Sequence, residues 1–409
     1  MYLPLFIFIA LFFSLSLGEF GQYPFGQSSF SLSLTDGLMF LSLCVMLVWN
    51  IAIRKNLAVP KNFLWLVGFW LICLLSLLFS FNLSGWLYLF RFIVYSGAFY
   101  LAFHLVKSKI LDLGEFLTLL KLVSLVIAVL GLVQLIIYPD LEPLSGYGYD
   151  PHKYRLFSTF LDPNFVGTFL SFPVVFIAGN LLDQKFSGFK QFFYKNKFDL
   201  IAGLIILVSV ILTFSRSAYL MLFAALFLLL VFKRKLLLIP LFLIPLILYL
   251  IFPPFSERIN GIINPDKSAS ERISSWEKGL TIFQQNPLFG VGFNNIRDAA
   301  EQLNLNKTYS PDGGNSGAGV DSSLIFVMAT TGIAGTAVFF LFLFKILFGS
   351  LSRILRKNYR YSLPFFAVSS GLILNSFFIN SLFFPAIMVI WFSALGVFYG
   401  LGEGEGDGS

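Results

Sequence analysis

The chain has 409 residues, of which 57% are apolar, 18% aromatic and only 12% charged. A soluble domain carries about 25% charged residues, so this composition cannot clothe a water-facing surface, and soluble, disordered and collagen-like classes are excluded. A mean hydropathy of +0.83 points to an all-α polytopic integral membrane protein, with room for about twelve transmembrane helices of about 20 residues each.

Twelve apolar stretches are predicted as spans, roughly 3–17, 36–53, 62–80, 86–106, 117–137, 164–182, 199–214, 217–232, 236–252, 322–345, 363–381 and 384–401. The first is similar to a signal peptide but lacks a basic leading region and precedes eleven further spans, so it is read as retained. With the N-terminus inside, 17 of the 28 Lys and Arg residues fall in inner loops. That bias predicts a multi-pass chain with both termini cytoplasmic and 402–409 as a short disordered cytoplasmic tail. The net charge of +7 is then topology, and no nucleic-acid partner is expected. The stretch 199–232 is too long for one crossing as a helix. A split at Ser215-Arg216-Ser217 keeps the basic run Lys233–Lys235 inside. Cys44 and Cys73 lie in apolar runs and are read as unpaired thiols. No His or Cys cluster has metal-ligand spacing, so no metal and no cofactor is expected.

Two outer loops carry the polar residues: one over about 138–163, and a large helical extracytoplasmic loop at 253–320 between spans nine and ten. No phosphate-loop signature is present, so any chemistry belongs to the outer face and uses a pre-activated substrate. In the first loop, Arg155 is either a cation for phosphate or an exposed loop charge, and Asp162 or Asn164 can cap the span opened by Pro163. Next, Arg216 sits in a tight outer turn. A guanidinium there fits a lipid-borne phosphate, or it snorkels to headgroups. Ser268 and Glu271 form a possible capping box. On the helix they open, Ile273, Trp276, Leu280 and Phe283 make an apolar stripe predicted to lie on the membrane domain. Arg272 is predicted to aim inward beside it, with Glu271 and Lys278 pointing to solvent. Pro287 ends that helix, and Gly290 and Gly292 permit a tight turn. The Gly-rich run Ser310–Val320 is expected to be mobile. Asp321 is either the N-cap of span ten or a carboxylate able to take a proton from a hydroxyl.

Four pieces in order resemble the O-antigen ligase/polymerase superfamily of bacterial membrane glycosyltransferases. They are Arg155…Phe160 with Asp162-Pro163-Asn164, Thr213-Phe214-Ser215-Arg216-Ser217, Glu271-Arg272…Trp276 with Pro287-Leu288-Phe289-Gly290-Val291-Gly292, and Asp321…Thr331-Gly332-Ile333-Ala334-Gly335. The resemblance runs from about Tyr154 to Phe344. It implies transfer of a glycan from a polyprenyl (undecaprenyl) diphosphate carrier to a glycan or lipid-core acceptor hydroxyl. The setting it implies is the outer face of a bacterial cytoplasmic (inner) membrane. It puts Arg216 and Arg272 on the diphosphate. The family's acceptor-activating histidine falls on Asp321 here, a departure that makes Asp321 the candidate base. Arg155, Asn164, Ser215, Trp276, Arg91 and His152 are read as substrate-binding candidates, His152 being the outer-face histidine. Direct displacement by a metal-independent enzyme would invert the anomeric carbon. The competing reading, a lipid-linked glycan transporter or flippase, calls for midplane charges and two related halves. Spans nearly free of central charge, with Arg91 the clearest exception, disfavour it.

Overall fold

The computed structural model describes residues 3–24, 31–54, 58–60, 62–78, 83–147, 149–185, 188–263, 266–305, 319–356 and 360–404. Lys55, Lys61, Lys307, Lys357, nearly all of the Ser310–Val320 run and residues 405–409 of the tail lie outside the described residues. Sixteen α-helices follow in order among the described residues. The first half holds α1 (Leu3–Ser14), α2 (Leu34–Val48), α3 (Phe63–Leu78), α4 (Leu83–Ser96), α5 (Ala98–Lys107), α6 (Leu113–Ile137), α7 (Pro163–Asp183) and α8 (Phe189–Leu212). The second half holds α9 (Arg216–Lys233), α10 (Leu238–Ile251), α11 (Pro253–Ile263), α12 (Lys267–Gln285), α13 (Ile296–Gln302), α14 (Ser323–Leu355), α15 (Ser362–Asn375) and α16 (Pro385–Gly404).

Among the described residues, eight helical stretches are long and apolar enough to cross a membrane, or nine if α10 and α11, bent by 105°, count as one. The shorter apolar helices α3 and α15 fall on two more predicted spans. The predicted break near Ser215 is present: α8 stops at Leu212, and the Ser215 side chain accepts from the Ala218 N–H to cap α9. Two details differ from the sequence reading. Residues 402–404 continue α16 instead of opening the tail. An antiparallel hairpin, β1 (Gln22–Pro24) with β2 (Ser31–Ser33), precedes α2. Strands this short carry too few residues for a period-two pattern to register.

In hydrocarbon, helices gain little from burying apolar surface, so close packing at small residues does the holding. Gly396 and Gly400 on α16 show this against α5: a Cβ at Gly396 would lie 2.4 Å from Phe99 O, and one at Gly400 2.9 Å from Val106 Cβ. Every residue from Ala98 to Val106 is buried, which makes α5 a central helix. At the other side of the bundle, Gly167 of α7 approaches Ala218 of α9 and Thr213. This contact brings the cap of α7 and the turn before α9 together.

The span α14 is broken, and four backbone groups at the break find partners on the segment after α12. Gly332, inside α14, has φ +64° and ψ −164°, which interrupts the helical ladder. The freed carbonyls of Ala329 and Thr330 accept from Val291 N and Gly292 N at 3.0 and 3.1 Å. The freed N–H groups of Ile333 and Ala334 donate to Pro287 O and Leu288 O at 2.8 and 3.3 Å. Gly290, itself at φ +70°, presses on Thr330, where an added Cβ would lie 2.3 Å from the carbonyl carbon. The two glycines are therefore a reciprocal close approach of backbones, which side chains would forbid. Phe293 then inserts between the rings of Phe92, Phe326 and Phe383, with centroids 5.5–6.0 Å away. Unpaired backbone groups at membrane depth are costly, so this clamp fixes the C-terminal end of α12 to α14.

Candidate functional site

The site lies at the end of the bundle where α7, α9 and α14 begin. Asp162 caps α7, its Oδ1 accepting from Asn164 N at 2.6 Å and Phe165 N at 3.3 Å, with Pro163 in the first turn. The same Asn164 carries its side chain toward the turn before α9. Its Oδ1 accepts from Ser215 Oγ at 2.8 Å and from Arg155 Nη2 at 3.4 Å.

Arg155 is not an exposed loop charge. It is only 6% exposed. Its Nε donates to Thr213 O at 2.9 Å, its Nη2 also reaches Phe214 O at 3.4 Å, and its Nη1 meets His152 Nδ1 at 3.3 Å. Burial, together with the charge of Arg258, lowers its pKa to about 9. Burial and the charges of Arg155 and Arg258 also lower the His152 pKa to about 3, so this ring is neutral at physiological pH. Arg155 thus ties His152 and Asn164 to the Thr213–Phe214 turn. The backbone here is unusual: Tyr154, Ser158, Leu161 and Phe214 all hold positive φ without being glycine. Such conformations persist only where surrounding contacts impose them, and they concentrate at functional sites.

Arg216 is the first residue of α9. Its Nη2 donates to Asp266 Oδ1 at 2.9 Å, while its Nη1 is buried without a hydrogen-bond partner among the described residues. Asp266, not Ser268, is the N-cap of α12: its carboxylate accepts from Ala269 N at 2.9 Å, and the helix starts at Lys267. The sequence offers two overlapping cap signals, and the ion pair with Arg216 selects the earlier one. Burial alone would raise the Asp266 carboxyl, but the bonds from Arg216 and Ala269 and the charges of Arg216 and Arg258 hold it below its ordinary range.

The face that α12 turns to the bundle matches the predicted stripe only in part: Trp276 and Phe283 are half-buried, Phe283 against the core. Ile273 and Leu280 are 46% and 41% exposed, whereas Ser275, Lys278 and Gly279 are buried. Lys278, predicted to be solvated, is 6% exposed. The physical reason is the solvent. Apolar side chains beside a bilayer need no protein cover, whereas hydroxyl and ammonium groups do. Gly279 allows the approach, since a Cβ there would meet Ile325 at 2.5 Å. Arg272 does face inward, as predicted, and its Nε is buried without a hydrogen-bond partner among the described residues. Glu271 is exposed, also as predicted.

Asp321 rests on this face. Its N–H donates to Ser275 Oγ at 2.9 Å, and its carbonyl accepts from Trp276 Nε1 at 3.1 Å. Trp276 in turn packs on Phe378 at 5.9 Å. Asp321 is not the N-cap of α14; Ser322 is, accepting from Ile325 N. The neighbouring hydroxyl takes the capping bond and leaves the Asp321 carboxyl for other work. Burial raises its pKa to about 6, against the opposing charges of Arg272 and Lys278. Burial likewise lowers the pKa of Arg272 and of Lys278, and the Asp321 charge works against that shift in both. Arg272, Ser275 and Lys278 form an i, i+3, i+6 ridge: the outer two are the cations whose charges act on this carboxyl, and the middle one holds its backbone.

Arg91 is engaged differently. Its Nε and Nη2 each meet the Asp36 carboxylate at 2.8 Å, and it also donates to Ser31 O, which ties α4 to the cap of α2. That guanidinium is spent on an internal ion pair. Arg258, Asp266, Ser275 and Lys278 had no place among the candidates read from sequence. For Ser275 and Gly279 a signal existed: small residues on one helix face mark the side that approaches other backbone.

These features define a helical membrane protein with arginines and the half-buried Asp321 carboxyl gathered between the start of α9 and a loop helix clamped to a broken span. Residues 201–340, about a third of the chain, match the family model described as O-antigen ligase. The matched segment carries Arg216, Arg272, Trp276, both clamp glycines and Asp321, and it bears out the resemblance to the O-antigen ligase/polymerase superfamily. Arg91, His152, Arg155 and Asn164 lie outside it. No curated protein matches the chain.

Proposed function

We propose that this protein is a membrane glycosyltransferase that moves a glycan from a polyprenyl-diphosphate carrier to an acceptor hydroxyl on the outer face of the cytoplasmic membrane. Arg216 and Arg272 hold the diphosphate and stabilise the charge that grows on it as the sugar–oxygen bond breaks. Asp321 takes the proton of the acceptor hydroxyl as that oxygen attacks the anomeric carbon, and the configuration inverts. The diphosphate leaves with the bonding electron pair. Arg155, His152, Asn164, Ser215 and Trp276 position these groups and the substrates. The guanidinium groups supply the charge stabilisation, so the reading is metal-independent.

The observation that carries the proposal is the grouping of two half-buried arginines, each with one buried N–H that has no partner among the described residues, with a half-buried carboxyl of pKa about 6. A general base works best when its pKa lies near the operating pH, and arginine forks match phosphate oxygens. Deleting the gene in its host and profiling the surface glycans tests the reading. Shortened chains mark a polymerase and loss of attachment a ligase. Lipid-linked glycan trapped in the inner leaflet marks a flippase and sinks the proposal, as does an unchanged glycan profile.

A further inference from the structure

Arg258 lies on α11, the helix that follows the 105° bend after α10. Its Nη1 is 3.8 Å from Asp266 Oδ2, while Asp266 Oδ1 meets Arg216 Nη2 at 2.9 Å. One carboxylate is therefore shared by two guanidinium groups and by the first turn of α12. Gly261 sits between them: a Cβ there would lie 2.8 Å from both Arg216 Nη1 and Asp266 Oδ2. The backbone of α11 thus closes directly over the pair. The charge of Arg258 also acts on Arg155 and His152, so it belongs to the same cationic group.

We propose that Arg258 is a third phosphate-facing guanidinium, and that Asp266 holds the anion position between Arg258 and Arg216 until a diphosphate displaces it. The proposal rests on the polyprenyl-diphosphate reading above. Three features carry it. A carboxylate presents two oxygens to a guanidinium fork as a phosphate does, but with less charge, so a diphosphate outcompetes it before several arginines. The Asp266 side chain is 33% exposed, against 13% for Arg216, so the carboxylate is the water-facing member of the pair and can leave it for solvent. The N-terminus of α12 also has somewhere to go. Ser268 and Glu271 have the spacing of a capping box two residues further on, which would cap the helix once Asp266 has left.

The test uses the full-length protein in detergent, with inorganic pyrophosphate and farnesyl diphosphate as probes, read by calorimetric titration. The wild type binds both. Arg258→Ala weakens binding about three- to tenfold, as expected for a partly solvated charge pair, and Arg258→Lys recovers part of the loss. Asp266→Asn keeps a capping side chain and removes the competing charge, so it tightens binding about three- to tenfold. The Asp266 variant keeps the idea testable even where Arg258→Ala impairs folding. Unchanged binding in Arg258→Ala, or unchanged or weaker binding in Asp266→Asn, overturns the inference. If Arg216→Ala loses binding while Arg258→Ala does not, the inference fails and the proposed function stands. If the wild type binds neither probe, both fall.

Discussion

Two regions sit at opposite ends of α12 and are built on opposite terms. At its C-terminal end, the clamp between residues 287–292 and the break at Gly332 gives partners to four backbone groups beside the break. At its N-terminal end, Arg216 and Arg272 each keep a buried N–H without a partner among the described residues. A buried donor left unpaired costs about 1–3 kcal/mol, more when charged. A protein that completes one end and leaves the other open separates holding from binding. The clamp fixes where α12 lies, and the open donors stand on α9 (Arg216) and α12 (Arg272).

The strongest way to break this contrast is to remove the donors. Arg216→Ala or Arg272→Ala should lower glycan transfer by about a hundred- to a thousandfold while membrane levels stay intact, because charge stabilisation of a leaving group is commonly worth about 3–4 kcal/mol per donor. A transfer assay with quantified membrane protein checks both halves. Normal transfer in both variants would remove the diphosphate role. The clamp should respond the other way. Gly332→Ala drives a Cβ to 2.4 Å from the Leu288 carbonyl carbon and should cost about 3 kcal/mol of stability. Thermal unfolding in detergent and the amount of membrane-inserted protein report it. Full stability there would mean that the two backbones are not in contact.

The carboxyl gives the next effect. Asp321→Asn should reduce transfer about a hundredfold, the usual range for a lost general base. In the wild type, the rate should fall as pH drops through about 6, because Asp321 must be ionised to accept a proton. A pH–rate profile that is flat across that range would exclude Asp321 as the base. The smallest effect should come from Lys278→Met. Removing its charge favours protonated Asp321, so the acidic limb of the profile should move to higher pH, with about a tenfold loss or less at neutral pH. The wheel reading that put Lys278 in solvent expects no shift.

Much of this fold is legible in the chain itself, because hydrocarbon demands long apolar helices and loop residues announce their caps. Asp162-Pro163 and Ser215 cap the predicted helices, and Pro287 closes α12 where expected. The helical count is less legible: α3 and α15 are short, and α8 begins with Lys190, Lys195 and Lys197, so length and hydropathy alone certify fewer spans than twelve. The site is legible where side chains are few and unusual, as with Arg216 and Arg272. It is not legible where two residues compete for one job. Ser322 takes the cap that Asp321 was read to supply, and Asp266 takes the one assigned to Ser268. Neither choice is visible until the partners across space are known. The wheel of α12 erred in part for a different reason: it ranked the faces by their apolar side chains and passed over Ser275 and Gly279, whose small size lets that face approach Asp321 and Ile325.

The position of Arg216 has one more consequence. It is the first residue of α9, where the helix dipole already presents about half a positive charge. A cation there is repelled by its own helix, and Asp266 neutralises it only in part. An anion arriving at this point relieves Arg216, the helix terminus and the unpartnered Nη1 at once, so loading and folding become linked equilibria. The protein should melt at a higher temperature with pyrophosphate than without it. On the function proposed above, the carrier diphosphate is then a structural member of the fold during each turnover, lent to the bundle and withdrawn when it departs.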